Sequence, residues 1–296
     1  MKRLLLIAAI FMIAKAGNAQ KDTTVIASAN TDTVRVGNFV IIKKNKPGSE
    51  SNSSNNTVWK DWDKTVDVKI ERVPRRQRNI TTNWWIMDLG FANYRDQTDY
   101  AYAQAGTYLK TFRPQDGKVS ESSYALNTGK SSNFNIWLFM QKLNVVKHVV
   151  NLKYGLGYEM YNYRYDSRLS YRKDASNYVY NDSISFSKNK LYVSYITIPL
   201  MLHINATPDR RRGFNFSVGM SAGYLVDSRN KQISAERGKQ KTNGNFNFEP
   251  WRFATIGEIG IGPVRLYGSY SLNRLQKDIT RVEQYPYTVG IRFSSW

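Results

Sequence analysis

Asn151-Leu152-Lys153-Tyr154-Gly155-Leu156-Gly157-Tyr158-Glu159-Met160 is the stretch on which the fold turns. Leu152, Tyr154, Leu156, Tyr158 and Met160 take every second position, and Asn151, Lys153, Gly155, Gly157 and Glu159 take the others. Successive side chains of a strand point to opposite faces, so this is a strand with one greasy side. The pattern returns twice in clean form. Phe214, Phe216, Val218, Met220, Ala222 and Tyr224 oppose Asn215, Ser217, Gly219, Ser221 and Gly223. Tyr285, Tyr287, Val289, Ile291 and Phe293 oppose Pro286, Thr288, Gly290, Arg292 and Ser294. Five less regular segments bring the expected strands to eight: Trp84 to Tyr94, Phe134 to Met140, Tyr192 to Ile204, Trp251 to Ile261 and Val264 to Leu272.

The connections between these segments sort by parity. Those after the first, third, fifth and seventh strands are long, covering about 95–130, 164–188, 227–248 and 274–282. Those after the second, fourth and sixth are short: about 143–147, Thr207 to Gly213, and Gly262-Pro263. Outer-membrane barrels have an even number of strands, long extracellular loops and short periplasmic turns. A soluble sandwich has no reason to sort its connections in this way. The expected fold is all-β: an eight-stranded antiparallel transmembrane β-barrel over residues 81–296, behind a flexible N-terminal periplasmic arm.

The arm and the export signal come from the other end of the chain. Lys2 and Arg3, an uncharged apolar run from Leu4 to Ala14, and the small residues Ala16-Gly17-Asn18-Ala19 read as a signal peptide over 1–19. Residues 20–80 are expected to be largely disordered, with one short strand at 33–43 ahead of the Asn- and Ser-rich run Asn45 to Thr57. The chain has no cysteine, which excludes disulfides and an N-terminal lipid anchor. Its net charge of +20 would suggest nucleic acid in the cytosol. An exported chain instead meets membrane phosphates, so no nucleic acid partner is expected.

Alternation alone does not say which face meets lipid, since a soluble lipocalin-like carrier also alternates, with its greasy side inward. Three features favour the inverted arrangement. The less greasy face is rich in glycine and serine, which suits a cramped middle. It also carries both signs of charge in mid-strand, Asp88, Glu159 and Glu258 against Lys153, Arg252, Arg265 and Arg292. These are expected to form a structural polar network across a narrow, side-chain-filled lumen. Aromatic residues such as Trp84, Trp85, Tyr192, Tyr224 and Trp251 gather near strand ends, where amphipathic rings favour the headgroup zone.

Little else suggests chemistry. His148 and His203 are the two histidines, and neither has a catalytic or metal-binding signature around it. No enzyme activity, metal or cofactor is expected. The long connections are basic: Arg164, Arg168, Arg172 and Lys173 after the third strand, and Arg229, Lys231, Arg237, Lys239 and Lys241 after the fifth. They are candidates for contact with surface anions, above all lipopolysaccharide phosphates. Arg210-Arg211-Arg212 falls in a short periplasmic turn. The expected role is structural, surface-binding or envelope-assembly. A small channel or secretion-associated component and a soluble periplasmic carrier are the alternatives. Expected partners are outer-membrane lipid, lipopolysaccharide, other envelope or secretion proteins, and the barrel-assembly machinery during biogenesis.

Several pieces resemble the outer-membrane β-barrel proteins of Bacteroidetes, in the broad PorT-like family. They are Trp85-Ile86-Met87-Asp88-Leu89-Gly90-Phe91, Tyr154-Gly155-Leu156-Gly157-Tyr158-Glu159 and, most specifically, Leu191 to Leu200 with Pro199 in an Ile-Pro-Leu setting. Phe216 to Tyr224 and Val289-Gly290-Ile291-Arg292-Phe293 fit as well, and Asp32 to Ile42 is similar to the arm of such proteins. The resemblance implies an outer-membrane location and a barrel. Some relatives serve type IX secretion, but these motifs form strands and carry no such role with them. Trp296 shares the parity of Arg292 rather than that of Phe293, which departs from the usual terminal signal.

Overall fold

The computed structural model describes residues 31–36, 39–44, 68–72, 78–206, 213–261 and 264–294. The signal-peptide segment, Arg210-Arg211-Arg212 and Trp296 lie outside them. The chain divides into two units, residues 1–76 and 77–296. In the first, β1 (Thr31–Val36), β2 (Phe39–Lys44) and β3 (Val68–Arg72) form an antiparallel sheet in that order. The register runs from Thr31↔Lys44 to Val36↔Phe39.

The second unit is built on long strands: β4 (Ile80–Asp96), β5 (Ser132–Val146), β6 (Val150–Tyr165), β9 (Lys188–Asn205), β10 (Phe214–Ser234), β12 (Trp251–Ile261), β13 (Val264–Ser271) and β14 (Gln284–Phe293). Each pairs antiparallel with the next, β9 pairs with β10, and β14 pairs back with β4, so the pairings run in a ring. Between β6 and β9 lies a separate hairpin of β7 (Leu169–Lys173) and β8 (Asn177–Asn181). β11 (Gly238–Asn243) pairs with β10 alone.

These pairings correct the expected fold class. The described residues of 77–296 carry eleven strands rather than eight, nine in one sheet and two in the β7-β8 hairpin. The sheet is not a plain eight-stranded barrel, because β10 has three partners and β11 leaves an open edge. The physical reason is the length of β10. It continues ten residues past Tyr224, where the greasy alternation stops, and the chain then turns back as β11 to pair with it. In the arm, three strands are described where one at 33–43 was expected, and the remaining residues of 20–77 lie outside the described ones.

Burial follows the alternation. On β9, Ile196, Ile198, Leu200 and Leu202 are exposed while Tyr195, Thr197, Met201 and His203 are buried. β13 and β14 do the same, with Val264, Leu266, Val289 and Ile291 exposed against buried Arg265, Tyr267, Thr288 and Arg292. The interior is polar and the surface greasy, the reverse of a water-soluble protein. A bulge explains the segment Phe134 to Met140, which reads as apolar on both faces. The pairing skips Trp85 and Leu138, and Trp85 takes a left-handed φ of 57°. The skip turns Trp137 inward while leaving both Trp84 and Trp85 on the outer face.

Trp137 needs room inside, and its cross-strand partner is Gly157. A β-carbon at 157 would lie 2.4 Å from the indole, so only glycine admits the ring there. The short elements α1 (Tyr100–Gln104) and α2 (Glu121–Tyr124) sit in the first long connection. No helix among the described residues is long and apolar enough to cross a membrane.

Candidate functional site

The seven mid-strand charges expected to share the interior are all buried. Period two brings them there: each lies on the inward face of its own strand, and the ring turns those faces toward one another. Asp88 accepts from Arg292 through both carboxylate oxygens, Nε to Oδ1 and Nη2 to Oδ2, each at 2.7 Å. Trp137 Nε1 donates to Asp88 Oδ2 at 2.7 Å, and Asn135 Nδ2 at 3.1 Å. Arg292 also reaches Glu258 at 3.1 Å, and Glu258 is paired with Lys153 and lies 3.8 Å from Arg265. A second group centres on Glu159 Oε2, which accepts from Arg252 at 3.1 Å, Thr197 at 2.9 Å and Tyr161 at 3.2 Å. Arg252 is completed by Ser271 and Ser269. The bidentate Arg292–Asp88 pair is the strongest geometry available to such groups.

Little space remains between the two groups. The void bordered by Asn135, Trp137, Glu159, Glu258 and Arg292 measures about 10 Å³, room for one water at most. His203 is buried beside Ser217, with Nδ1 and Oγ 2.9 Å apart. Among the described residues, no group of three or more His, Asp or Glu side chains could hold a metal ion.

The long connections close over one end of the ring. Their buried side chains join those at the adjoining strand ends in one cluster, rich in tyrosine, that includes Tyr94, Tyr163 and Tyr165 from β4 and β6 and Tyr108, Tyr124, Tyr171, Phe246 and Phe248 from the connections. Tyr108 donates to the Phe246 carbonyl at 2.8 Å, and the Tyr165 and Tyr171 hydroxyls lie 3.0 Å apart. Tyr161, Tyr163 and Tyr165 continue the inward period of Glu159 along β6 and were legible by phase. Tyr108, Tyr124, Phe246 and Phe248 lie in irregular connections, where no period announces them.

The basic residues of the loops divide into two sets. Arg237 binds Asp182 at 2.8 Å and Arg172 approaches the same carboxylate at 3.8 Å, which ties the β7-β8 hairpin to the β10-β11 turn. Burial alone would raise the Asp182 carboxyl, but the Arg237 hydrogen bonds outweigh it and hold the group below its usual range. Arg168 lies 4.0 Å from Asp116. Lys173 packs its stem against Gly244. Arg164, Arg229, Lys231, Lys239 and Lys241 instead lie on β6, β10 and β11, in extensions of the sheet. Lys188 and Lys190 join them from β9 and were missed, because the expected strand began only at Tyr192. Their signal was legible: Lys188 and Lys190 keep the period of Tyr192.

No curated protein matches the chain. Among solved structures the chain is similar to Ail, the attachment invasion locus protein of Yersinia pestis, at 9% identity over 74% of this chain and 99% of that one. The TM-score is 0.30. The model of the family described as outer membrane protein beta-barrel domain matches residues 100–291. With that match covering well over half of the sequence, the chain belongs to the outer membrane protein beta-barrel domain family and is a protein of the outer membrane.

Proposed function

We propose that the protein is a structural and surface-binding component of the envelope, with its long-loop end outside the cell and an interior that passes no solute. The observation that carries this is the state of the middle. Seven buried charges pair in two opposite-sign groups beside a void of about 10 Å³, and a tyrosine-rich core closes the loop end. On this reading the interior charges are structural: they fix how the strands pack and move no ion. A lipocalin-like carrier would need a greasy cavity inside, whereas here the inward face is charged and the outward face greasy. The ordered loops, rich in Tyr, Asn and Arg, suit contact with lipopolysaccharide or another envelope component. Assembly by the barrel-assembly machinery fits an outer-membrane chain of this kind. The narrower likeness to PorT-like Bacteroidetes proteins rests on strand-forming pieces, and no secretion role follows from it.

Planar-bilayer recording on the refolded full chain tests the closed interior. The expected result is no stable conductance. A steady conductance of nanosiemens size would contradict it and favour a channel.

A further inference from the structure

The outward face changes character along single lines of register. Tyr158, Ile196 and Tyr224 stand side by side on β6, β9 and β10, and the next outward rank is Met160, Ser194 and Asp227. A one-residue bulge at Val226 shifts the parity of β10, so odd-numbered residues then face outward with their partners on β9. The next rank is Asn162, Tyr192, Arg229 and Asn243. After it come Arg164, Lys190, Lys231 and Lys241, one from each of four adjacent strands, and then Lys188, Ile233 and Lys239. Adjacent strands lie about 4.8 Å apart, so four cations stand within roughly 15 Å.

Like charges directly opposite each other destabilise a sheet. Here three such pairings follow in a row. No carboxylate among the described residues lies within ion-pair distance of these seven Lys and Arg side chains. Neutral groups hold them in place instead. Lys190 donates to Asn162 Oδ1 at 2.7 Å, Arg164 donates to the Ser187 carbonyl, and Arg229 lies 4.5 Å from the centre of the Tyr192 ring. A row of this kind asks for anions from outside the chain.

We propose that the rank Arg164–Lys190–Lys231–Lys241 binds the phosphate groups of glycolipids in the outer leaflet, against the outer wall of the sheet. This deepens the surface-binding reading above and rests on its orientation. Position selects the source of the phosphate. The rank lies on the outward wall, continuous with the greasy surface and about 13 Å along the strand beyond Met160, not at the loop tips where a soluble ligand would first arrive.

Retention of lipid A by the full-length protein in detergent tests the site, with phosphorylated and dephosphorylated lipid A as the two probes. Wild type is expected to hold the phosphorylated form at least tenfold more tightly, and the gap is expected to narrow as salt rises. Lys190→Gln, Lys231→Gln and Lys241→Gln together are expected to close the gap. Lys118→Gln, Lys130→Gln and Lys277→Gln, which remove exposed charges elsewhere on the loops, are expected to leave it. Equal retention of the two lipids by wild type overturns the proposal, and that comparison stands even if the triple variant does not fold. An equal loss in the control variant overturns it as well. Soluble heparin that outcompetes the lipid would make the partner a glycan and also end it. A protein that conducts yet still prefers the phosphorylated lipid would fail the closed-interior reading and leave this site standing.

Discussion

Asp88→Ala is expected to destabilise the folded protein by about 3–5 kcal/mol, the cost of leaving a buried charge without its partner. Asp88 is completely buried and accepts four hydrogen bonds, two from Arg292 and one each from Trp137 and Asn135. Removing its carboxylate takes the bidentate partner from the Arg292 guanidinium, which keeps only Glu258, and leaves the Trp137 indole N–H without its acceptor. Urea unfolding, followed by heat-modifiable electrophoretic mobility, measures the loss. The double variant Asp88→Ala with Arg292→Met is expected to recover most of it, because an apolar pair of similar volume carries no desolvation penalty. A single variant within about 1 kcal/mol of wild type would show that the interior charges do not hold the strands together.

The second large effect is on the outer wall. Leu200 is 56% exposed in the middle of the greasy run of β9, flanked in register by Tyr154 and Met220. In water, a charge at so exposed a position would change stability by no more than about 0.5 kcal/mol. Facing lipid near the bilayer midplane, Leu200→Arg is expected to cost about 2–4 kcal/mol. Ile279→Arg supplies the comparison. Ile279 is also apolar and 74% exposed, but it lies in the last long connection at the loop end. There the same substitution is expected to stay within about 0.5 kcal/mol. Equilibrium unfolding in lipid vesicles separates the two, and equal small effects would argue that Leu200 faces water.

The strands of the ring were legible because burial on one face imposes a period of two, and Asn151 to Met160 shows it without interruption. The alternation of long and short connections was legible for the same reason, since it follows from where the strands stop. What the sequence hid was local irregularity. The skip at Trp85 and Leu138 and the extra residue at Val226 each reverse parity, and a reversal looks like noise in a linear pattern. That is why β10 was expected to end near Tyr224 and the residues beyond it to form a loop. The inward charges were found by phase alone, yet their partners were not, because pairing Asp88 with Arg292 depends on strands at opposite ends of the chain. The tyrosine core had a periodic signal only where β6 carries Tyr161, Tyr163 and Tyr165, and none in the connections. It became visible only when Tyr108, Tyr165, Tyr171 and Phe246 were brought together from four segments.

The basic residues show how topology regroups a composition. Nine Lys and Arg side chains in two loops were expected to act alike as surface contacts. Arg168, Arg172 and Arg237 instead face Asp116 or Asp182 and tie the loops to one another. Lys188 and Lys190 move the other way, into the row on the outer wall.

The side of the sheet that meets lipid decides everything else, and the absence of cysteine from the chain makes it directly measurable. Single cysteines at Leu200 and Lys231, each spin-labelled in the refolded protein in vesicles, report collisions with oxygen and with a water-soluble nickel chelate. The label at 200 is expected to meet oxygen and escape nickel, and the label at 231 is expected to meet nickel. Free access of nickel to position 200 would contradict the account.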